Sequence, residues 1–479
     1  MIPVQNFNLG GISDSKFSGS GDSFYRLIGW DLHSEPGLLK VAQKLTKISG
    51  STVDEFATAR CACSNGSTFF GSSTSGKIWE ITSGGTVRLV HTITPVAGAA
   101  NILGIEEFNG YVYVATQSRL HRITVAASDD NNWAVDCVED WATFLGTDDT
   151  YKPMFVFEKT QTLYIGDGKY VAQIGQSNTF VGDALDLATG HRIQCLGYIG
   201  NDLMIGSFLS TSVTKGFVFR WNTWSISFTT FDDVPEVGIN AFIPGDNFTI
   251  ISAGLYGNLY YYNGEQLEPW KKVPGVYSPS ATVKVYPNAV GNLSGDMLFG
   301  LSSVTGNPTV QGVYRVARNS INYPIILDLP YPISERQAGT DETTLVLSGI
   351  QIGAIAISGT NVFVSWKNGS TYGIDKLDYT AKLENPYFET KVTIADRELV
   401  NDFKQWLVAY ETLPDNTNIK MYYRINHGDY VQLTEAAVDL IRKILNAEVT
   451  ISGSSLQFKV VGVSSGNTAP TIESAAIFL

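Results

Sequence analysis

Charge is scarce in this 479-residue chain: Asp, Glu, Lys and Arg together make up 16% of it. The charge present is unbalanced, with 33 Lys and Arg against 46 Asp and Glu and a net of −13. No basic run exceeds two residues, as at Lys271-Lys272. A phosphate-neutralising surface needs clustered cations, so specific nucleic-acid binding is not expected, and the acidity would repel a polyanion. Cysteine is scarcer still. The four cysteines, Cys61, Cys63, Cys137 and Cys195, include no CxxC pair, so zinc has no support. Cys61 and Cys63 would share one face of a strand and read as small buried hydrophobes rather than half a metal site. No apolar run approaches the roughly 18 residues of a membrane helix, so membrane insertion is not expected. The opening "MIPVQNFNLGG" places no positive stretch before an apolar core, and export by the general pathway is not expected.

What the chain does hold is 44% hydrophobic residues, 46 Gly, 23 Tyr and 24 Phe. That weighting toward small, β-branched and aromatic residues is a β-rich signature. Internal repetition organises it. A turn followed by an aromatic strand and a Gly or Ser recurs as "GSTFFGSS", "NGYVYVAT", "QTLYIGDG", "NDLMIGSF", "DNFTIISA", "GDMLFGLS" and "TNVFVSWK". About ten residues after each comes a second shape: "GKIWEI" at 76, "RLHRI" at 119, "KYVAQI" at 169, "GFVFRW" at 216, "GNLYYY" at 257, "QGVYRV" at 311 and "YGIDKL" at 372. A third segment precedes most pairs, such as "LGIEEF" or "GAIAIS", and a fourth often follows, such as "TVRLVHTI" or "PIILDL". Asn-Gly and Gly-Asp turns between them suit hairpins.

Four short antiparallel strands at a period of roughly 40–50 residues predict a β-propeller of about seven blades, with six or eight as the neighbouring counts. The run Tyr260-Tyr261-Tyr262 puts aromatic mass on both faces of a strand. A blade covered on both sides accommodates this. WD40, kelch and sialidase signatures are missing.

The ends differ. Residues 1–36 are Gly/Ser-rich and read as an extended N-terminal arm. The propeller is assigned 37–384, with the stretch 37–49 as the strand that closes the last blade and removes an exposed edge. Residues 385–479 read as a C-terminal β-sandwich interrupted by one short helix, 434–448, with Thr434 as N-cap and Val438, Ile441 and Leu445 on one face.

Chemistry-bearing patterns are thin. The five histidines, His33, His91, His121, His191 and His427, form no HxH or HxxxH pair. His121 reads as a packed or rim histidine and His33 as a turn residue. "GVSSG" around Ser464 lacks the following helix and later histidine of a nucleophile elbow and reads as a hairpin loop. The acidic clusters at 128–133, 146–150 and 231–234 lack calcium-loop spacing. A glycosidase would need two opposed carboxylates, with Asp148, Asp167 and Asp232 as candidates. Trp221 and Trp224 in "RWNTWS" are the candidate glycan-stacking pair, weighed against cross-strand core packing. No cofactor, metal or catalytic residue is assigned, and no enzyme activity is expected.

The run "GGISDSKFSGSGDSFYRLIGWDLHSEPGLLKVAQKLTKISG" resembles the opening of virion proteins from tailed bacteriophages. The pattern "YFETKVTIADRELVNDFKQWLVAYETLPDNTNIKMYYRIN" is similar to the β-sandwich that closes several phage tail proteins. The resemblance implies a tail component of nozzle, tail-tip or adaptor type, made in the host cytoplasm and located in the virion. It further implies a homo-oligomeric ring in contact with other tail proteins, with the arm on a neighbouring subunit. The alternatives are a glycan-binding propeller for host-surface recognition and a glycan-cleaving propeller enzyme.

Overall fold

The computed structural model describes residues 2–4, 10–14, 23–50, 53–82, 84–128, 132–146, 151–212, 214–273, 280–306, 311–318, 324–337, 349–394, 401–403, 405–435, 444–447 and 450–478. Seven four-stranded antiparallel units follow one another. They occupy 57–92, 104–143, 154–186, 191–234, 239–272, 282–331 and 350–382, the last completed by the strand Gln43–Lys47. The first strands of successive units neighbour one another in sequence, and that of unit seven, Ile350–Ser358, packs on that of unit one, Ala57–Ala62. The order is therefore cyclic. The chain folds as a seven-bladed β-propeller with first strands innermost, followed by a β-sandwich.

Blade packing explains the repeated sequence shapes. The small residue of "FFGS", "YVAT", "YIGD", "MIGS", "IISA", "LFGL" and "FVSW" holds the same place in every second strand. A methyl group added at Gly300 would stand 2.3 Å from Cγ2 of Ile352 in the next blade, and one at Gly206 would stand 2.8 Å from Cγ2 of Ile239. At the ring's seam the small residue is Ser365, whose hydroxyl donates to the carbonyl of Ala57 at 2.7 Å. These positions admit the β-branched side chain of the neighbouring blade, and a larger residue would overpack the seam.

The strand Asn258–Tyr262 is covered on both faces. Tyr260 and Tyr262 are buried in one cluster with Met204 and Val218 of blade four, while Tyr261 stacks on Phe248 at 5.2 Å. Turn chemistry also holds. Asn109 and Gly110, both with positive φ (48° and 81°), form the two-residue loop between Phe108 and Tyr111, the conformation that favours Asn-Gly in hairpins.

The N-terminal segment is less separate than an arm. Phe24–Ile28 lies between the outer strand of blade six, Ile326–Tyr331, and the sandwich strand Tyr387–Thr390, so one sheet continues from propeller into sandwich. Trp30–Asp31 and Leu39–Val41 join the second sandwich sheet beside Thr471–Phe478, on which Ile2–Val4 also pairs. Where an extended arm over 1–36 was expected, the described strands pair within the chain, because Phe24, Leu27 and Trp30 bury their side chains completely. Gln43–Lys47 then closes blade seven as expected, pairing with Thr371–Lys382. A single apolar cluster runs from Leu45 and Leu329 to Trp30, Phe388, Trp406 and Phe458.

The helix expected over 434–448 is corrected at its ends. Thr434 and Glu435 close the strand Val431–Glu435, and Ile444–Ala447 is a strand on Gln405–Tyr410. Residues 436–443 lie outside the described residues. The described helical turns are short, at Val125–Ala127, Trp133–Asp136 and Ser334–Gln337, all outside the sandwich.

Candidate functional site

The first strands begin at one end of the propeller, and there the axis opens into a cavity of about 330 Å³. Phe56 and Thr58 come from blade one and Asn101 and Leu103 from the approach to blade two. Tyr151, Lys152 and Pro153 lead into blade three, and Lys284, Tyr286, Pro287 and Asn288 belong to blade six. Lys284 is still paired, opposite Ser302, whereas Tyr286, Pro287 and Asn288 stand where the strand Thr282–Leu293 loses register with its partner between Val285 and Val290.

Two lysines reach this wall in different states. Lys152 is fully buried and ion-pairs with the equally buried Asp167, which also accepts the backbone N–H groups of Leu145 and Gly146 at 2.8 Å each. Lys284 has aromatic company. Its Nζ stands 4.3 Å from the ring centroid of Tyr286 and 3.4 Å from the hydroxyl of Tyr151. Burial pushes the Tyr286 phenol above its ordinary range. Asn288 donates from Nδ2 to the Thr58 carbonyl at 2.9 Å, tying blade six to blade one across the axis. The opposite end of the axis is acidic. It carries Glu106, Glu107 and Glu158, and burial pushes the Glu106 carboxyl up to about 7.

No family model matches this chain, and no curated protein matches it in sequence. Among solved structures it is similar to a streptogramin B lyase at 10% identity and TM-score 0.47, covering 70% of this chain and 97% of that one. It is also similar to a catalytically inactive virginiamycin B lyase from Staphylococcus aureus with quinupristin, at 12% identity and TM-score 0.49, covering 69% and 98%. A third likeness is to the extracellular domain of a hybrid two component system from B. thetaiotaomicron, at 13% identity and TM-score 0.45, covering 82% of this chain and 45% of that one. Two of these similar structures are of lyases. Likeness this remote carries no activity to this chain.

The residues singled out from sequence are scattered. Trp221 and Trp224 do not form a stacking pair. Trp221 is buried, with its Nε1 donating to the Ser225 carbonyl at 2.8 Å and its ring against Tyr164. Trp224 stands in the following turn, 86% exposed, with its N–H on the Asn222 side-chain oxygen. It does not begin the next strand, which starts at Thr230. Asp167 is consumed by Lys152, Asp232 sits on the outermost strand of blade four, and Asp148 lies outside the described residues. The two described carboxylates, Asp167 and Asp232, lie on different blades, three and four. Ser464 follows Ser455–Val463 in a loop closed by the mutual hydrogen bonds of Ser465 and Thr468, with Thr471–Phe478 next. Among the described residues no three His, Cys, Asp or Glu side chains cluster as metal ligands. No described helix is long and apolar enough to cross a membrane. Cys61 and Cys63 are buried with sulfurs 3.5 Å apart, and the hydrogen bond between them, together with burial, pushes the Cys61 thiol well up.

Three of the histidines, His33, His91 and His121, are held by neighbours in the fold. The backbone N–H groups of His33 and Ser34 donate to Asp31 in a turn. His91 stacks on Trp133 and bonds Glu139 at 2.9 Å. His121 is fully buried, with Nδ1 accepting the Asp140 N–H at 2.9 Å and Nε2 3.1 Å from the Thr116 hydroxyl. Burial holds its pKa down to about 4, against an ordinary 6.5. The unfolded chain therefore gains a proton that the folded chain refuses. The stabilisation is complete above the unfolded value and is lost as pH falls toward 4. Between about pH 7.5 and pH 5 the native protein should lose about 2 kcal/mol that His121→Asn, whose amide oxygen replaces Nδ1, does not lose. Urea unfolding of both proteins at the two pH values measures this, and equal losses would refute it.

Proposed function

We propose that this chain is a structural component of a tailed-phage virion, present in several copies in the tail as a nozzle, tail-tip or adaptor protein. The sequence resemblance at both chain ends gives the particle. The rim of blade four is the structural observation that supports assembly. There Trp224, Ile226 and Phe231 are 86%, 97% and 53% exposed, beside an outermost strand whose far edge has no partner strand among the described residues. Apolar side chains grouped this way mark contact surfaces on soluble proteins. The described N-terminal strands are occupied within the chain, and this rim offers a further surface to a neighbour.

The axial cavity combines a neutralised Lys152–Asp167 pair with a lysine and tyrosines. The purified chain should form a homo-oligomer by light scattering, and Trp224→Ser with Ile226→Ser should reduce it to monomers without shifting its melting temperature. The chain should also appear in the mass spectrum of purified virions. A monomeric native protein that is absent from particles would overturn the proposal.

A further inference from the structure

We propose that the axial cavity is a binding site for a sugar acid, a hexuronate-type ring carrying one carboxylate. Its volume of about 330 Å³ lies at the small end of ligand pockets, which run from about 300 to 1,000 Å³. The charge of its wall is uneven. Lys152 is cancelled by Asp167, whereas Lys284 meets no carboxylate within ion-pair distance among the described residues. One uncompensated ammonium on the wall of a recess favours one anionic group.

The hydrogen-bond directions sharpen this. Lys284 donates to the Tyr151 hydroxyl, which leaves the Tyr151 proton to donate elsewhere. A carboxylate placed between them accepts from an ammonium and from a phenol. The Asn288 amide oxygen, its Nδ2 being engaged by Thr58, remains an acceptor for a sugar hydroxyl. Asn101 and Gln194 also line the wall, and their amides add hydrogen-bonding capacity for the hydroxyls of a ligand.

Phe56, Leu103, Pro153 and Pro287 supply the apolar part of the wall, beside Thr58 and Ser73. That suits the C–H face of a pyranose ring. Phosphate carries close to two negative charges at neutral pH, which the one uncompensated ammonium of the described lining matches less well than a single carboxylate.

The test is calorimetric titration of the full chain with D-glucuronate at constant ionic strength, with D-glucose and inorganic phosphate as controls. Glucuronate should bind with a dissociation constant of about 1 mM or below, and glucose and phosphate at least about tenfold more weakly. Lys284→Met should weaken glucuronate at least about tenfold, as loss of a bond to a charged group does, with Lys284→Arg recovering part of it. Melting curves matching the native protein show that the variants fold. Undetectable glucuronate binding would overturn the proposal. So would equal binding of glucose or phosphate, or a correctly folded Lys284→Met that binds as well as the native chain. None of these results bears on oligomerisation, so the assembly reading stands or falls separately.

Discussion

Leu45→Asp is expected to open the propeller. Leu45 sits in the strand Gln43–Lys47, opposite Leu377, and is 1% exposed in the apolar cluster that also holds Leu377, Val41 and Trp366. Removing the leucine side chain alone, as in Leu45→Ala, should cost about 2–5 kcal/mol. The aspartate adds the penalty of a carboxylate without a partner in an apolar site, so the total should exceed about 5 kcal/mol. That is the order of the whole stability of many domains. The strand is also what joins the chain's beginning to its last blade. Losing it leaves Thr371–Lys382 as a bare edge and uncovers Leu377. Urea unfolding should show a much earlier midpoint for Leu45→Asp than for Leu45→Ala. Limited proteolysis should cut first near residues 48–56. Matching midpoints for Leu45→Asp and the native protein would show that this strand does not hold the ring shut.

The closing strand was legible in sequence because a ring of blades leaves one edge to cover, and the 37–49 stretch was the unassigned apolar segment nearest the repeat. The inner pairs of strands were legible for a local reason: each is a hairpin whose turn and small residue recur. The N-terminal strands of the sandwich were not, since Phe24–Ile28 finds its partners at Ile326–Tyr331 and Tyr387–Thr390, hundreds of residues away. Polar and Gly-rich flanks made that segment look like an arm. The helix expected over 434–448 rested on the helical period of Val438, Ile441 and Leu445, and it does not hold at the described ends of that stretch. Pairing of Ile444–Ala447 with Trp406–Ala409 overrides that local preference. The axial wall was hidden for a geometric reason. Phe56, Tyr151 and Lys284 meet only because the starts of the first strands converge, and no spacing between them announces it.

Arg315→Met should cost about 3–5 kcal/mol near neutral pH, and its pH dependence identifies the cause. Arg315, on Gly312–Ala317 of blade six, is almost fully buried. Its guanidinium donates to both oxygens of Asp328, at 3.2 and 2.6 Å, and to Asp31 at 2.7 Å, with Asp296 at 3.5 Å. One cation thus holds carboxylates from blade six and from the strand Trp30–Asp31 of the sandwich. Burial by itself would raise the Asp31 carboxyl, but Arg315 beside it prevails and holds it down to about 2, against an ordinary 3.8. With a depressed native pKa, Asp31 stabilises the fold above the unfolded value and loses that contribution as pH falls toward 2. Methionine fills the space without the charge and leaves three carboxylates facing one another. Their pKa values must then rise above the unfolded value, so the variant is penalised most at neutral pH and recovers as they take up protons. The native-to-variant gap should therefore shrink by about half between pH 7 and pH 4.5. A gap that stays constant over this range would mean that Arg315 acts through packing rather than by binding the two modules electrostatically.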